Sequence, residues 1–234
     1  MHPSFRKGFR HGIPIGLGYL SVSFAFGIQA VSEGLTPLQA VLISMTNVTS
    51  AGQLAGLPLL VAQASLVEVA LTQFIINLRY ALMSLSLSQK MDKDMNTPRR
   101  MFFSFMNTDE IFAVASAQPE KVGHVYLYGL MLAPYVGWSA GTLLGAVAGS
   151  LLPAFFRSAL GIAIYGMFLA IILPPARREK PVRAVVLLAV AMSLCFHYLP
   201  LLNTVSSGFV IIICAVAASA LGAMLFPVKE GGNP

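Results

Sequence analysis

Four charged residues lie inside long apolar stretches of this chain: Glu68, Arg79, Asp109 and Glu110. A fifth, Arg157, sits near the end of one. Between Gly12 and Val67 the only charge is Glu33, and between Ala184 and Val228 there is none. A charge at bilayer depth is costly, so each of these residues is a functional hypothesis. The chemistry they offer is electrostatic. Arg79 needs a carboxylate, from the fold or from a substrate. Asp109 and Glu110 can supply one, or can hold a proton.

Arg79 lies on a stretch read as a helix over 64–88. At 100° per residue, Gln73, Asn77, Tyr80 and Ser84 form one stripe, and Glu68, Thr72 and Arg79 a second. Glu68 and Arg79 are separated by about 16 Å along that axis, so they do not pair. Asp109 and Glu110 are the obvious partners. Adjacent residues face different ways on a helix, so one of them at most meets Arg79. The other is a candidate proton site. An internal salt bridge without a ligand explains Arg79 equally well, and a surface-lying helix would leave both acids in water.

The elements that carry these residues are membrane helices. The chain has 234 residues, 56% hydrophobic and 10% charged, where soluble domains have about 25% charged. Its mean hydropathy is +0.76. The fold expected is all-α: a polytopic integral membrane protein forming a single domain over 1–234. The net charge of +6 does not indicate nucleic acid, because the basic residues cluster between apolar runs. Arg6, Lys7 and Arg10 precede an apolar run with no small-residue cleavage site, which reads as a retained first span rather than a signal peptide.

Apolar segments fall at about 12–32, 37–62, 64–88, 100–118, 123–150, 157–175, 183–203 and 206–227, most of them near the ~20 residues a span requires. Two are interrupted. The segment 37–62 is centred on Thr46-Asn47-Val48-Thr49-Ser50-Ala51-Gly52-Gln53, and 100–118 on Asn107-Thr108-Asp109-Glu110. If both return to the side they entered from, then Arg6, Lys7, Arg10, Lys90, Lys93, Arg99, Arg100, Lys121, Arg177, Arg178, Lys180, Arg183 and Lys229 share one side. Only Arg157 is opposite. This fits the positive-inside bias far better than two full crossings. It gives six full spans, two broken or re-entrant segments, and cytoplasmic termini.

The first break has its own chemistry. Gly52 permits an unwound turn, and Ser50 can cap the half-helix that follows. Free N–H groups there attract an anion such as a carboxylate. Discontinuous helices of this kind form the binding sites of many secondary transporters. A kink without a ligand is the plainer alternative. The candidate substrate-binding residues are therefore Asn47, Ser50, Gly52, Gln53, Asn77, Arg79 and Tyr80. The candidate proton-coupling residues are Asp109 and Glu110.

Other features read as structural. Gly137, Gly141, Gly145 and Gly149 recur every four residues, suiting close helix packing or a sliding surface, and Gly8, Gly12 and Gly16 repeat the theme. Tyr126, Tyr128, Tyr135 and Trp138 read as interface anchors or packing, and Cys195 and Cys214 as small core residues. His197 near a helix end reads as hydrogen-bonded to a neighbour, with a proton relay as the alternative. No phosphate loop, zinc motif or nucleophile elbow occurs, so no enzyme, cofactor or metal site is expected.

Three motifs, Ser50-Ala51-Gly52-Gln53-Leu54-Ala55, Ile76-Asn77-Leu78-Arg79-Tyr80-Ala81-Leu82-Met83 and Thr108-Asp109-Glu110-Ile111-Phe112-Ala113, together resemble the AzlC family. This is the large subunit of bacterial branched-chain amino acid exporters. The resemblance implies export of valine, isoleucine or leucine across the inner membrane, driven by an ion gradient such as protons. It also implies a small hydrophobic partner of the AzlD type. A channel or passive pore for small solutes is the alternative reading of the broken segments.

Overall fold

The computed structural model describes residues 4–92 and 95–227. Among them are ten helices: α1 Phe5–Ser32, α2 Pro37–Thr46, α3 Ser50–Val61, α4 Leu66–Lys90, α5 Thr97–Met106, α6 Asp109–Ser116, α7 His124–Leu151, α8 Ala154–Arg178, α9 Lys180–Tyr198 and α10 Ser207–Leu225. Six run 19 to 28 residues, enough for about 30 Å of hydrocarbon at 1.5 Å per residue. Five of these are also apolar enough to cross by composition (α1, α4, α7 over His124–Gly149, α9 and α10). The two interrupted segments are the two pairs of short helices, α2–α3 and α5–α6. This is an all-α, multi-pass membrane protein. Lys93 and Lys229, used in the charge count, lie outside the described residues, as does the side chain of Arg157.

Local signals set the helix starts. Thr36 and Gln39 form a reciprocal capping box ahead of α2, with Pro37 in its first turn. Asn96 caps α5 by accepting from Arg99 N at 3.2 Å.

The chain divides into two compact units. The first comprises Met1–Leu57 and Asn77–Ile164. Its spine is α1 against α7. A Cβ on Gly8 would stand 2.1 Å from the Tyr126 carbonyl oxygen, one on Gly12 2.4 Å from that of Leu130, and one on Gly145 2.0 Å from that of Phe24. No side chain fits at these positions. The paired residue numbers rise together, so α1 and α7 are parallel. Lipid is as apolar as leucine, so close backbone approach between small residues supplies much of the association. The glycine spacing read from the sequence is thus a packing face.

The parallel pairing fixes the topology. At the end of α4, Arg100 Nη1 donates to Ser88 O at 3.3 Å and Lys90 Nζ donates to Ser116 O. The start of α5 and the end of α6 therefore meet the same end of α4, and the pair doubles back as a hairpin. Between parallel α1 and α7 the chain makes a net single return crossing, which α4 supplies.

The second unit comprises Pro58–Ile76 and Tyr165–Pro234. A Cβ on Gly222 would meet Val185 Cγ2 at 2.5 Å, which sets the end of α10 beside the start of α9. Helix α10 buries Gly208, Cys214 and Ala218 along one stripe, while α9 buries none of its residues. Cys195 on α9 is exposed, contrary to the expectation of a core thiol; only Cys214 is buried. Helix α9 meets α10 at Val185 but has no small-residue stripe that would bring a neighbour close enough to bury its side chains. His197, also exposed, lies edge-on to Tyr198 with ring centroids 4.8 Å apart.

Candidate functional site

In the first unit the two helix breaks meet α4. They border a cavity of about 370 Å³. Thr46, Asn47 and Thr49 line it from the first break, Asn107 from the second, and Asn77, Tyr80 and Ser84 from α4. Most of its lining residues are polar and none carries a formal charge, while Val48, Ala81 and Phe105 add an apolar surface. Three residues of the α4 stripe read from the sequence, Asn77, Tyr80 and Ser84, therefore face the breaks; Gln73 does not line the cavity.

The first break is held by buried amides and hydroxyls. Gln53, 1% exposed, donates from Nε2 to Ser44 Oγ at 2.8 Å and to Asn47 O at 3.1 Å. Ser44 Oγ and Thr142 Oγ1 share a hydrogen bond of 2.6 Å, which fixes the break to α7. The cap of α3 corrects the sequence expectation. Thr49, not Ser50, accepts from Gly52 N, at 3.3 Å. Ser50 is already the first helical residue. A cap must precede the first helical turn, and two adjacent hydroxyl residues make that position ambiguous by one.

The second break is held by charged side chains and by a tyrosine from α1. Arg79 Nη1 pairs with Asp109 Oδ2 at 2.9 Å. Its Nη2 donates to Tyr80 OH at 2.9 Å, and its guanidinium lies 4.7 Å from the Tyr80 ring centroid. Tyr80 OH in turn donates to Thr49 Oγ1 at 3.4 Å, linking the two breaks. Glu110 takes the other direction: Tyr19 OH donates to its carboxylate and shares a second hydrogen bond of 2.6 Å with the Thr108 hydroxyl. Thr108 therefore does not cap α6 with its own side chain. Asn107, 3% exposed, donates from Nδ2 to Ser84 Oγ at 3.0 Å.

Of the residues singled out in the sequence, Asn47, Asn77 and Tyr80 line the cavity. Ser50, Gly52 and Gln53 build the break behind it. Arg79 and Asp109 form an ion pair beside it, and Glu110 sits on the Tyr19 side. Sequence reasoning missed Tyr19, Thr49 and Asn107. Asn107 and Thr49 stood inside the polar interruptions, and their position next to the helix ends was the available signal. Tyr19 is the one tyrosine of an apolar span that also holds Phe24 and Phe26, with no signal of its own.

Glu68 belongs to neither break. In the second unit its Oε1 accepts from Ser206 Oγ at 2.6 Å and from Gly208 N at 3.0 Å. It caps α10 from another helix, which explains why Ser206 makes no cap of its own. A Cβ on Gly208 would fall 2.6 Å from Glu68 Oε1 and 2.8 Å from Thr72 Oγ1. Glycine is required there for the carboxylate to reach the backbone. No group of His, Cys, Asp or Glu among the described residues could hold a metal ion.

Discontinuous helices whose ends meet around a polar cavity are a mark of helical membrane transporters. Comparison with known proteins places the chain more closely. Residues 14–152 match the family profile described as AzlC protein, and the chain belongs to the AzlC family. An uncharacterized membrane protein of Archaeoglobus fulgidus is 36% identical over 221 residues, 93% of each chain. The inner membrane protein YgaZ of Escherichia coli is 29% identical over 184 residues, 76% of this chain and 75% of YgaZ. The branched-chain amino acid transport protein AzlC of Bacillus subtilis is 22% identical over 181 residues, 76% of this chain and 70% of its own. No solved structure matches. These relatives support a role in membrane transport.

Proposed function

We propose that the protein is a secondary transporter exporting valine, isoleucine and leucine, coupled to protons. In this reading it is the large subunit of a two-component permease in the bacterial inner membrane, with both termini cytoplasmic. A small AzlD-type membrane protein is its partner. The observation that carries the reading is the uncharged polar cavity between two helix breaks, with the Arg79–Asp109 pair beside it. Its volume falls in the range of about 300–1,000 Å³ usual for small-molecule sites. The name of the Bacillus subtilis relative supports the substrate class.

A zwitterion requires an anion site and a cation site. Arg79 and Asp109 satisfy each other while the site is empty. An entering amino acid offers the same two charges, so its carboxylate can replace Asp109 on Arg79. The released Asp109 then takes the substrate ammonium or a proton. Because substrate and proton compete for one carboxylate, the exchange couples their movements in opposite directions. Asn47, Asn77 and Tyr80 orient the substrate, and Glu110 follows Asp109 as the second acid of the same turn.

The test is valine counterflow in proteoliposomes holding this chain and its small partner, with and without an imposed proton gradient. Saturable, gradient-accelerated exchange is expected. Absence of transport with the partner present sinks the proposal, and non-saturable flux would make the protein a pore.

A further inference from the structure

We propose that the first two turns of α1 form a binding site for the headgroup of an anionic phospholipid. Arg6, Lys7, Arg10 and His11 line, with Ser4, a concavity of about 540 Å³. Among the described residues no carboxylate pairs with Arg6, Lys7 or Arg10. Three cations within five residues repel one another, and no described carboxylate offsets them. An anion placed in the concavity offsets that repulsion.

One wall is fixed. His11 Nδ1 and Tyr126 OH share a hydrogen bond of 2.9 Å, and the two rings meet edge to face at 5.9 Å. Tyr126 is fully buried in the core of the first unit.

Depth points to lipid rather than to a free anion. Helix α1 has 28 residues, about 42 Å against a hydrocarbon layer of about 30 Å, so its first turns reach the headgroup layer. Phe5, Phe9 and Ile13 recur every fourth residue on the adjoining face and are exposed. The Phe5 and Phe9 rings stack with centroids 6.3 Å apart. This apolar ledge lies where acyl chains would follow a headgroup held by the cations. Basic pockets at the membrane surface recognise anionic lipids, each cation contributing about 1 kcal/mol, or roughly five-fold in affinity.

The experiment is a thermal-unfolding titration of the full-length chain in a zwitterionic detergent. The added probes are phosphatidylglycerol, phosphatidylcholine and inorganic phosphate. Phosphatidylglycerol should raise the Tm of the wild-type chain at concentrations where the other two do not. In the double variant Arg6→Gln/Arg10→Gln, half-saturation should need about 25-fold more phosphatidylglycerol. Arg177→Gln/Arg178→Gln, which removes two cations elsewhere, should leave the titration unchanged. Equal stabilisation of the wild type by phosphatidylcholine overturns the proposal without reference to any variant. So does stabilisation by phosphate alone, which would mark a small-anion site, or an equal loss in the Arg177/Arg178 control.

Discussion

The two helix breaks of the first unit solve the same problem with different chemistry. The break at 47–49 is satisfied locally: Thr49 caps α3, and buried Gln53 holds Ser44 and the Asn47 carbonyl. The break at 107–108 leaves its own cap unused and is held by long side chains from α1 and α4. Buried neutral hydrogen bonds exchange poorly, because breaking one strands a polar group without water. A half-exposed ion pair can trade one carboxylate for another. The first break is therefore built as a fixed wall, and the second as the part that can change partners.

That contrast can be broken most severely at Arg79. Arg79→Ala leaves Asp109 unpaired at bilayer depth, and valine counterflow should fall by roughly 100-fold, the scale of an uncompensated membrane charge. Normal transport by this variant would remove Arg79 from the site. Gln53→Leu attacks the fixed wall instead. It should lower unfolding stability by about 2 kcal/mol through the stranded Ser44 and Asn47 groups, read by thermal melting in detergent. If Gln53→Leu spares stability while changing substrate affinity, the wall is a ligand and the comparison fails.

Tyr19→Phe removes one hydroxyl from the exchangeable break. About 1 kcal/mol is at stake, and a several-fold change in counterflow rate with little change in melting temperature is expected. The smallest test separates two adjacent hydroxyls: Thr49→Ala should cost about 1 kcal/mol as a lost cap, while Ser50→Ala should cost a few tenths at most. Equal effects would return the cap to Ser50.

Both breaks were legible in the sequence because polar clusters have no place inside an apolar run unless the backbone is interrupted. The Arg79–Asp109 pair was legible for a similar reason, since a charge in lipid needs a counter-charge and few were on offer. The division of roles between Asp109 and Glu110 followed from helix geometry, but which acid took which side did not. Tyr19 was invisible because its partner lies 91 residues away and a lone tyrosine suits many settings. The cap was misplaced by one residue because Thr49 and Ser50 offer the same oxygen. The reach of Glu68 was hidden for a different reason. Its partners are a backbone N–H and a serine, and neither leaves a periodic or charged trace.

The Glu68 cap has a consequence for how the chain is made. Its hydroxyl partner, Ser206, lies 138 residues later in the sequence. At about 5–20 residues per second, a ribosome takes roughly 7 to 30 seconds to cover that distance. For that interval α4 carries a carboxylate whose final donors have not been synthesised. A chain halted before Ser206 would hold every residue of both helix breaks and neither of the donors that Glu68 accepts from.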